Sequence, residues 1–151
     1  MDIFTVSLFG HREIEDLRLP DASLSAVIKE LLQTTPYISF LIGRNGEFDE
    51  YAASVIKSTR KILNANNCDL TLVLPYPVAN VEYYEKYYDS IIIPESAQVA
   101  HPKSAITLKN RWMIEHSDLV IVYVERKFGG AYQAMKYAQF LCKPIINIFA
   151  N

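Results

Sequence analysis

The chain has 151 residues, half of them hydrophobic, and a net charge of −2; this indicates one compact domain over residues 1–151 with an ample core. The acidic balance argues against nucleic acid as a partner, because surfaces that bind nucleic acid are usually basic. No apolar run reaches the roughly 18 residues of a membrane span, and the first residues do not have the pattern of a signal peptide. We therefore expect a cytoplasmic protein without membrane contact, metal or cofactor.

The apolar segments are short, rich in β-branched residues and mostly free of polar alternation, which is typical of parallel strands covered on both faces. Helical patterns separate them, and the first of these has an apolar stripe with a period near 3.6 residues. In chain order we predict a strand at 3–9, a helix with its stripe at 24–32, strands at 37–42 and 70–74, a helix at 48–64 between them, a short strand at 90–93, a helix at 104–116, a strand at 119–124, a helix at 130–142 and a strand at 145–149.

Alternation of strands and helices predicts right-handed crossovers. The expected fold is a single Rossmann-like α/β domain with an open, mostly parallel sheet of five or six strands and helices on both faces. Asp21 or Ser23 is the expected N-cap of the first helix. In such a sheet all strands end at the same edge, and ligands bind there.

Three of the loops that follow strands combine glycine with a basic residue, as an anion site requires. Gly129 and Gly130 open the last helix, whose free N–H groups suit a phosphate, although a plain strand-to-helix turn is the alternative. The candidate ligand-binding residues are Gly10, His11 and Arg12 after the first strand; Gly43, Arg44, Asn45, Gly46 and Asp49 after the second; Gly129, Gly130, Ala131 and Tyr132 after the fourth main strand; and Lys109 on the helix before that strand.

Each polar candidate also has a role without a ligand. Arg12 offers a planar fork for phosphate or carboxylate, or is simply solvated. His11 could donate to a phosphate or transfer a proton, or lie on the surface. Asp49 could accept hydrogen bonds from sugar hydroxyls, or cap the helix that it begins.

A tyrosine-rich segment, "YPVANVEYYEKYYDS", places Tyr83 with Tyr87 and Tyr84 with Tyr88 at helical spacing. Two such stripes suit a subunit interface or the wall of an adenine-sized pocket, and plain packing is equally compatible. We expect a homo-oligomer, a dimer or larger, that buries a tyrosine or apolar helix face.

The segment "KNRWMIEHSDLVIVYVERKFGGAYQAMKYAQFLCKPIINI" resembles the SLOG superfamily, which unites Lonely Guy phosphoribohydrolases with DNA-processing protein A. The second loop, "IGRNGEFDEYAA", is similar to the superfamily's "SGxAxGxDxxA" element, and "SLFGHRE" is similar to the "TGHR" start of its small bacterial and phage members. The resemblance covers most of the chain. It implies a Rossmann-like domain that binds a nucleotide or nucleotide-derived ligand over the glycine loops, often as a homodimer.

The sequence departs from the Lonely Guy enzymes at their catalytic positions. Their turn reads "PGGxGTxxE", whereas this chain reads "FGGAYQAMK", so that Lys136 stands at the glutamate and Lys109 at the catalytic arginine. The resemblance therefore implies a sensor or sequestering protein for a nucleotide or ADP-ribose-like small molecule. One alternative is an enzyme of nucleotide N-glycosidic bonds that uses other carboxylates, and another is a DNA- or protein-interaction module. The replacement carboxylates would be Asp49, Glu13, Glu115 or Glu125.

Overall fold

The strands form one parallel sheet. A computed structural model of the chain describes residues 2–14, 18–44 and 46–149, without the side chains of 18–21. All of its strand pairs are parallel, and the order across the sheet is β4-β3-β2-β1-β5-β6. The predicted fold class is therefore confirmed. The strands are β1 Phe4–Gly10, β2 Ile38–Ile42, β3 Cys68–Val73, β4 Ser90–Ile92, β5 Leu119–Tyr123 and β6 Ile145–Asn147.

Six helices in the described part of the chain connect these strands. The four predicted helices are present, and two shorter ones were not predicted as elements. One of the shorter helices contains most of the tyrosine-rich segment, and the other is a single turn after Pro94. The helices are α1 Arg18–Thr34, α2 Glu47–Ile62, α3 Val81–Tyr87, α4 Glu95–Gln98, α5 Pro102–Glu115 and α6 Gly130–Phe140.

The core lies on both faces of the sheet. Along β5, residues 119, 121 and 123 pack towards α1 and α2, while residues 120, 122 and 124 pack towards α5 and α6. This alternation is the period of two that a β-strand imposes. Because both faces are covered, all five residues of β5 are buried, which explains why the sequence shows an unbroken apolar run.

The helix α1 begins earlier than its apolar stripe suggested. It includes Arg18, so that Asp21 and Ser23 lie inside the helix and the N-cap prediction is wrong. Pro20 falls in the first described turn, where a missing N–H is tolerated. In the described part of the chain, no helix has both the length and the apolar character of a membrane span.

The order of the strands fixes where a ligand would bind. The chain runs outward from β1 to β4 and then crosses back to place β5 on the other side of β1. The connections therefore diverge between β1 and β5, which is the topological switch point of the sheet. Loops that leave these two strands in opposite directions open a crevice at their carboxyl ends.

Candidate functional site

A cleft of about 450 Å³ lies at this switch point. It falls within the usual range of small-molecule pockets, about 300–1,000 Å³. Its walls come from the end of β1, the start of α2, the middle of α5 and the turn into α6. The lining residues are Leu8, Phe9, Gly10, His11, Arg12 and Glu13; Gly43 and Asp49; Ile106, Lys109 and Asn110; and Arg126, Phe128, Gly129, Gly130 and Ala131.

His11 joins the loops that follow β1 and β5. Its Nε2 accepts the backbone N–H groups of Glu125 at 2.9 Å and Arg126 at 3.2 Å. Accepting both bonds requires an Nε2 without a proton, so that the neutral ring carries its proton on Nδ1. Burial lowers the pKa of His11, the charge of Arg126 lowers it further, and Glu125 opposes these effects. His11 therefore acts as a fixed acceptor that holds the β5 loop in place.

The loops that follow β1 and β2 are also joined. The backbone N–H of Glu47, the first residue of α2, donates to the carbonyl of Arg12 at 2.8 Å. In return, the Glu47 carboxylate accepts the N–H of Ile14 at 3.2 Å. A Cβ on Gly46 would lie 2.4 Å from the Arg12 Cα. The glycine at position 46 is thus explained by the close approach of two loops, without any ligand.

Gly10 likewise has a packing role. A Cβ at this position would lie 2.1 Å from Cγ of Phe48, and Phe48 is completely buried under the end of β1. The Phe48 ring in turn stacks on Tyr123 at 6.1 Å between centroids. These contacts place the first turn of α2 directly against the strands that flank the switch point.

Lys109 is the most unusual side chain in the cleft. It projects from α5 and is only 1% exposed. Burial lowers its pKa from 10.5 to about 8, and the charge of Asp49 counteracts part of this effect. Asp49 is itself buried and lies in the first turn of α2, where a carboxylate also favours the helix dipole. A buried ammonium group of this kind is expensive unless an anion shares its environment.

Two buried polar atoms in the cleft make no hydrogen bond within the described residues. They are Oδ1 of Asn110, whose side chain is 9% exposed, and Nε of Arg126. Another guanidinium nitrogen of Arg126 donates to the Glu13 carbonyl at 3.3 Å. Buried polar groups are almost always paired, so both atoms are available to a polar partner that enters the cleft.

The turn into α6 is open on the side of the cleft. Gly129 has φ 94° and is the N-cap of α6, with no side-chain hydrogen bond to the cap. Positive φ favours glycine, and a Cβ at Gly129 or Gly130 would contact nothing within 4 Å. Phe128 stands beside this turn with 65% of its surface exposed. The helix N-terminus therefore presents free N–H groups and an aromatic face next to the cleft.

Most of the candidates chosen from the sequence meet in this cleft, while Arg44, Gly46 and Tyr132 are not among its lining residues. Arg44 lies over the ring of Tyr84, 4.7 Å from its centroid, and Tyr132 packs on the core between α6 and the sheet. Asn45 lies outside the described residues. The candidates that line the cleft are Gly10, His11, Arg12, Gly43, Asp49, Lys109, Gly129, Gly130 and Ala131.

The sequence analysis missed Asn110 and Arg126 as site residues. Both stand beside residues that were chosen or discussed, but their significance depends on burial without a partner, which no sequence pattern encodes. Of the four carboxylates considered for catalysis, Asp49 and Glu13 line the cleft. Glu115 instead accepts the hydroxyl of Tyr137 at 2.5 Å, and Lys136 is exposed on α6. No cluster of metal-binding side chains occurs in the part of the chain that the structure describes.

The sheet order and the glycine turns at its switch point define a Rossmann-like fold. No protein-family model matches the sequence, and no curated protein matches it significantly. Solved structures do match. DNA processing protein A (DprA) from Streptococcus pneumoniae superposes with a TM-score of 0.69 and 16% identity over 95% of this chain and 49% of that one.

Two further structures extend this comparison. DNA processing protein A from Helicobacter pylori gives a TM-score of 0.65 and 16% identity over 94% of this chain and 63% of its own. A protein named TM1055 gives a TM-score of 0.59 and 11% identity, over 94% of this chain and 72% of its own. The chain thus spans about half to two thirds of the DprA structures. At these identities the matches confirm the fold that the SLOG resemblance implied.

The expectation that nucleic acid is not a partner is corrected by these comparisons. The structure of the Helicobacter pylori protein is described by its single-stranded DNA binding mode, so that this fold is compatible with nucleic acid. Net charge was a poor guide because it averages over the whole surface. The cleft sets Arg12, Lys109 and Arg126 against Glu13 and Asp49, which is a positive balance at one edge of an acidic protein, and binding depends on such local charge.

Proposed function

We propose that this protein binds a nucleotide-derived ligand in the switch-point cleft, with a phosphate at the N-terminus of α6. The observation that carries the proposal is the pair of unpaired polar atoms, Asn110 Oδ1 and Arg126 Nε, which line the same cleft as the open Gly129-Gly130 turn. An oxyanion with hydroxyl donors nearby would satisfy both atoms. The acceptor and the donor need partners of opposite kinds, which a sugar phosphate provides.

The phosphate would be held by backbone and charge together. The free N–H groups at Gly130 and Ala131 point out of α6 with the positive end of the helix dipole. The ammonium group of Lys109 lies in the same cleft, and a bound phosphate would offset the cost of burying it. Arg12 and Arg126 add positive charge at the rim. We assign the phosphate position to Gly129, Gly130 and Lys109.

The rest of the ligand would extend from this position. Asn110 Oδ1 and the Asp49 carboxylate both line the cleft and can accept hydrogen bonds from sugar hydroxyls. The exposed ring of Phe128 offers a face on which a base can stack. These contacts would recognise the phosphate, the sugar and the aromatic face of a nucleotide. They would not distinguish one base from another.

Single-stranded DNA is the second candidate ligand. It is favoured by the structural match to the Helicobacter pylori protein, which has a single-stranded DNA binding mode. Stacking platforms combined with a positive groove are the usual means by which proteins hold single strands. A free nucleotide and one unit of a strand present the same phosphate and sugar to the cleft.

A panel of ligands tests the proposal by thermal unfolding. AMP, ADP-ribose, cyclic nucleotides and a short thymidylate strand are added separately at low salt. A ligand present at a hundred times its Kd stabilises a protein by about 2.7 kcal/mol, which at this size raises Tm by roughly 5–10 °C. Absence of a shift with every member of the panel would contradict the proposed function.

The substitution Gly130→Asp should abolish these ligand-dependent shifts. It places a carboxylate at the start of α6, where the structure has open space, and like charge then repels the phosphate. The fold should remain intact, because an acidic residue in the first turn favours the helix. The matched control is Gln139→Glu, which adds the same charge at the exposed far end of α6. Equal loss of binding in both variants would contradict the phosphate position.

The substitution Asn110→Leu should separate stability from binding. Replacing a buried oxygen that lacks a partner with an apolar group of similar volume should raise the free energy of unfolding by about 1 kcal/mol. The same change removes an acceptor that the ligand needs, so that affinity should fall about tenfold. Urea unfolding and ligand titration measure the two effects. A variant that is less stable and binds normally would contradict the role of Asn110.

Three other expectations remain predictions. A homodimer or larger assembly is checked by light scattering at micromolar concentration, and a cytoplasmic location by fractionation of cells that contain the protein. Turnover of the ligand is checked by incubating AMP and NAD with the protein and measuring free base. If free base is released, its loss in Asp49→Ala would assign catalysis to the carboxylate that lines the cleft.

A further inference from the structure

A second pocket lies on the other side of the loop that follows β2. Its volume is about 290 Å³, smaller than the 450 Å³ of the switch-point cleft, and it has room for a base. We call it the tyrosine pocket. It is lined by Arg44, Glu50, Tyr83, Tyr84, Tyr87 and Tyr88.

The tyrosine pocket adjoins the switch-point cleft through one stretch of backbone. Gly43 lines the cleft and Arg44 lines the tyrosine pocket. In the same way Asp49 lines the cleft and Glu50 the pocket. Consecutive Cα atoms are about 3.8 Å apart, so the rims of the two depressions meet at this loop and at the first turn of α2.

The side chains of the pocket form a surface for flat, electron-rich rings. Tyr83 is 67% exposed and meets Tyr84 edge to face, with 5.3 Å between the ring centroids. The Arg44 guanidinium lies 4.7 Å from the centroid of the other ring, Tyr84. Aromatic faces and guanidinium planes are the two platforms on which unpaired bases stack.

The charges of the pocket fit a base better than a phosphate or a second subunit. Glu50 would repel a phosphate, but its carboxylate can accept a hydrogen bond from a ring N–H or an amino group of a base. Tyrosine and arginine are common in subunit interfaces, whereas glutamate is depleted there, so that Glu50 is the residue of the pocket that favours a base. Beneath the pocket, Lys57 lies over the Tyr87 ring at 3.8 Å and donates to the Tyr87 carbonyl at 2.8 Å, which keeps the aromatic wall rigid.

We infer that the tyrosine pocket is a second base-binding subsite, which accepts a neighbouring base of a single-stranded oligonucleotide whose phosphate occupies the cleft. The inference rests on the proposed function, since it takes the phosphate position from there. It extends that function from a single nucleotide to a strand of at least a few units. Stacking recognises the face of any base, so that the subsite is tolerant of sequence.

The test compares ligand lengths. Fluorescence anisotropy measures Kd for a labelled nucleotide and for thymidylate strands of roughly four and eight units, the lower part of the usual range of about 4–16 nucleotides. The wild-type protein should bind the strands more tightly than the nucleotide. In Tyr83→Ala, strand affinity should fall about tenfold, as expected for a lost stacking contact, while nucleotide affinity should stay unchanged.

Two further arms make the result specific. Phe140→Ala removes another exposed aromatic ring, at the C-terminal end of α6 and outside the tyrosine pocket. This variant should leave strand affinity unchanged. Ribo- and deoxyribo-strands should both lose affinity in Tyr83→Ala, because stacking does not involve the 2′-hydroxyl. Arg44→Ala should weaken strand binding in the same way. This second variant shows whether the loss of affinity belongs to the pocket and not to Tyr83 alone.

The failures of the two proposals are distinguishable. If the wild-type protein binds nucleotides but binds longer strands no more tightly, only the tyrosine subsite is overturned. If it binds neither nucleotide nor strand, the proposed function is overturned together with the subsite. Equal weakening of nucleotide and strand in Tyr83→Ala would overturn the subsite, and so would a change of oligomeric mass in that variant, which would assign the surface to a subunit contact.

Discussion

Replacing Lys109 with methionine should weaken binding of the phosphate ligand about 100-fold or more. Truncating one partner of a buried charge pair removes about 2–5 kcal/mol of binding free energy, and about 3 kcal/mol corresponds to this factor. Lys109 is 1% exposed within the cleft, so little water would replace the lost ammonium. Isothermal titration of wild type and Lys109→Met with the tightest ligand of the panel measures the difference.

The pH dependence of binding should follow the same side chain. Because burial lowers the pKa of Lys109 to about 8, the ammonium form that attracts phosphate is lost above that pH. Affinity should therefore be flat between about pH 7 and pH 8, above the second pKa of a phosphate at about 6, and should fall by up to about tenfold per pH unit above pH 8. Lys109→Met should lack this decline. A variant that retained it would show that another group controls the binding.

The free energy of unfolding should change in the opposite direction to binding. The folded-state pKa of Lys109, about 8, lies below the usual lysine value of 10.5, so that the unfolded chain binds more protons between these two values. Stability attributable to Lys109 therefore rises with pH across this window, by roughly 3 kcal/mol in all. The difference in stability between wild type and Lys109→Met isolates the contribution of Lys109. It separates that contribution from those of the tyrosines and Cys68, whose raised pKa values make stability fall as the pH rises.

The matched control for this series is Lys103→Met. Lys103 lies on the same helix, α5, but is exposed and is not part of the cleft. Its replacement changes the net charge of the protein equally, and it should alter neither ligand affinity nor the pH profile. If both variants lost affinity to the same extent, the effect would come from overall charge and the role of Lys109 would be refuted.

The substitution Gly10→Ala should lower the free energy of unfolding by about 2–3 kcal/mol, as overpacking of a tight core does. The added Cβ would lie 2.1 Å from Cγ and 2.5 Å from Cβ of Phe48. These atoms are close to the backbone of a fully buried residue, so they cannot move aside cheaply. The expected fall in Tm is roughly 4–12 °C for a chain of this size, measured by urea and thermal unfolding.

A double-mutant cycle with Phe48→Ala identifies the cause. The single change Phe48→Ala should lower the free energy of unfolding by about 3–5 kcal/mol. It also removes the ring atoms with which the added Cβ of Gly10→Ala would clash. The double variant should therefore be more stable than the sum of the two losses predicts, by about 1–3 kcal/mol. Gly130→Ala, whose Cβ would contact nothing within 4 Å, is the control and should not be destabilising. Strict additivity of Gly10→Ala and Phe48→Ala would contradict the packing explanation.

The sequence predicted the strands well because burial on both faces leaves a continuous apolar run. The segment at 119–124 was predicted from this pattern, and β5 is Leu119–Tyr123. The glycine loops were placed correctly at one edge because parallel strands share their direction. The single turn Glu95–Gln98 was missed because four residues are too few to show a helical period. The position of the cleft depends on the order of the strands. No local sequence pattern predicts that order.

The structure brings only some of the chosen residues into the cleft, and this has a physical reason. Lys109 and the Gly129-Gly130 turn were chosen from motif and position, and they line the cleft. Arg44 was chosen by the same reasoning as its neighbour Gly43, yet it lies in the tyrosine pocket. Adjacent residues on a loop face opposite sides, and only the packing of the loop decides which side is which. Asn110 looked like an ordinary helix residue until its buried, unpaired oxygen became visible.

The loops around the cleft are fastened to each other by the protein's own hydrogen bonds. His11 holds the segment after β5, and the Arg12 carbonyl holds the start of α2. A ligand bound as proposed would therefore have little backbone to immobilise, and most of its contact energy would be available as affinity instead of being spent on ordering. We expect recognition of the lock-and-key kind, in which association needs no slow closing step and selectivity resides in the shape of a rigid receptor.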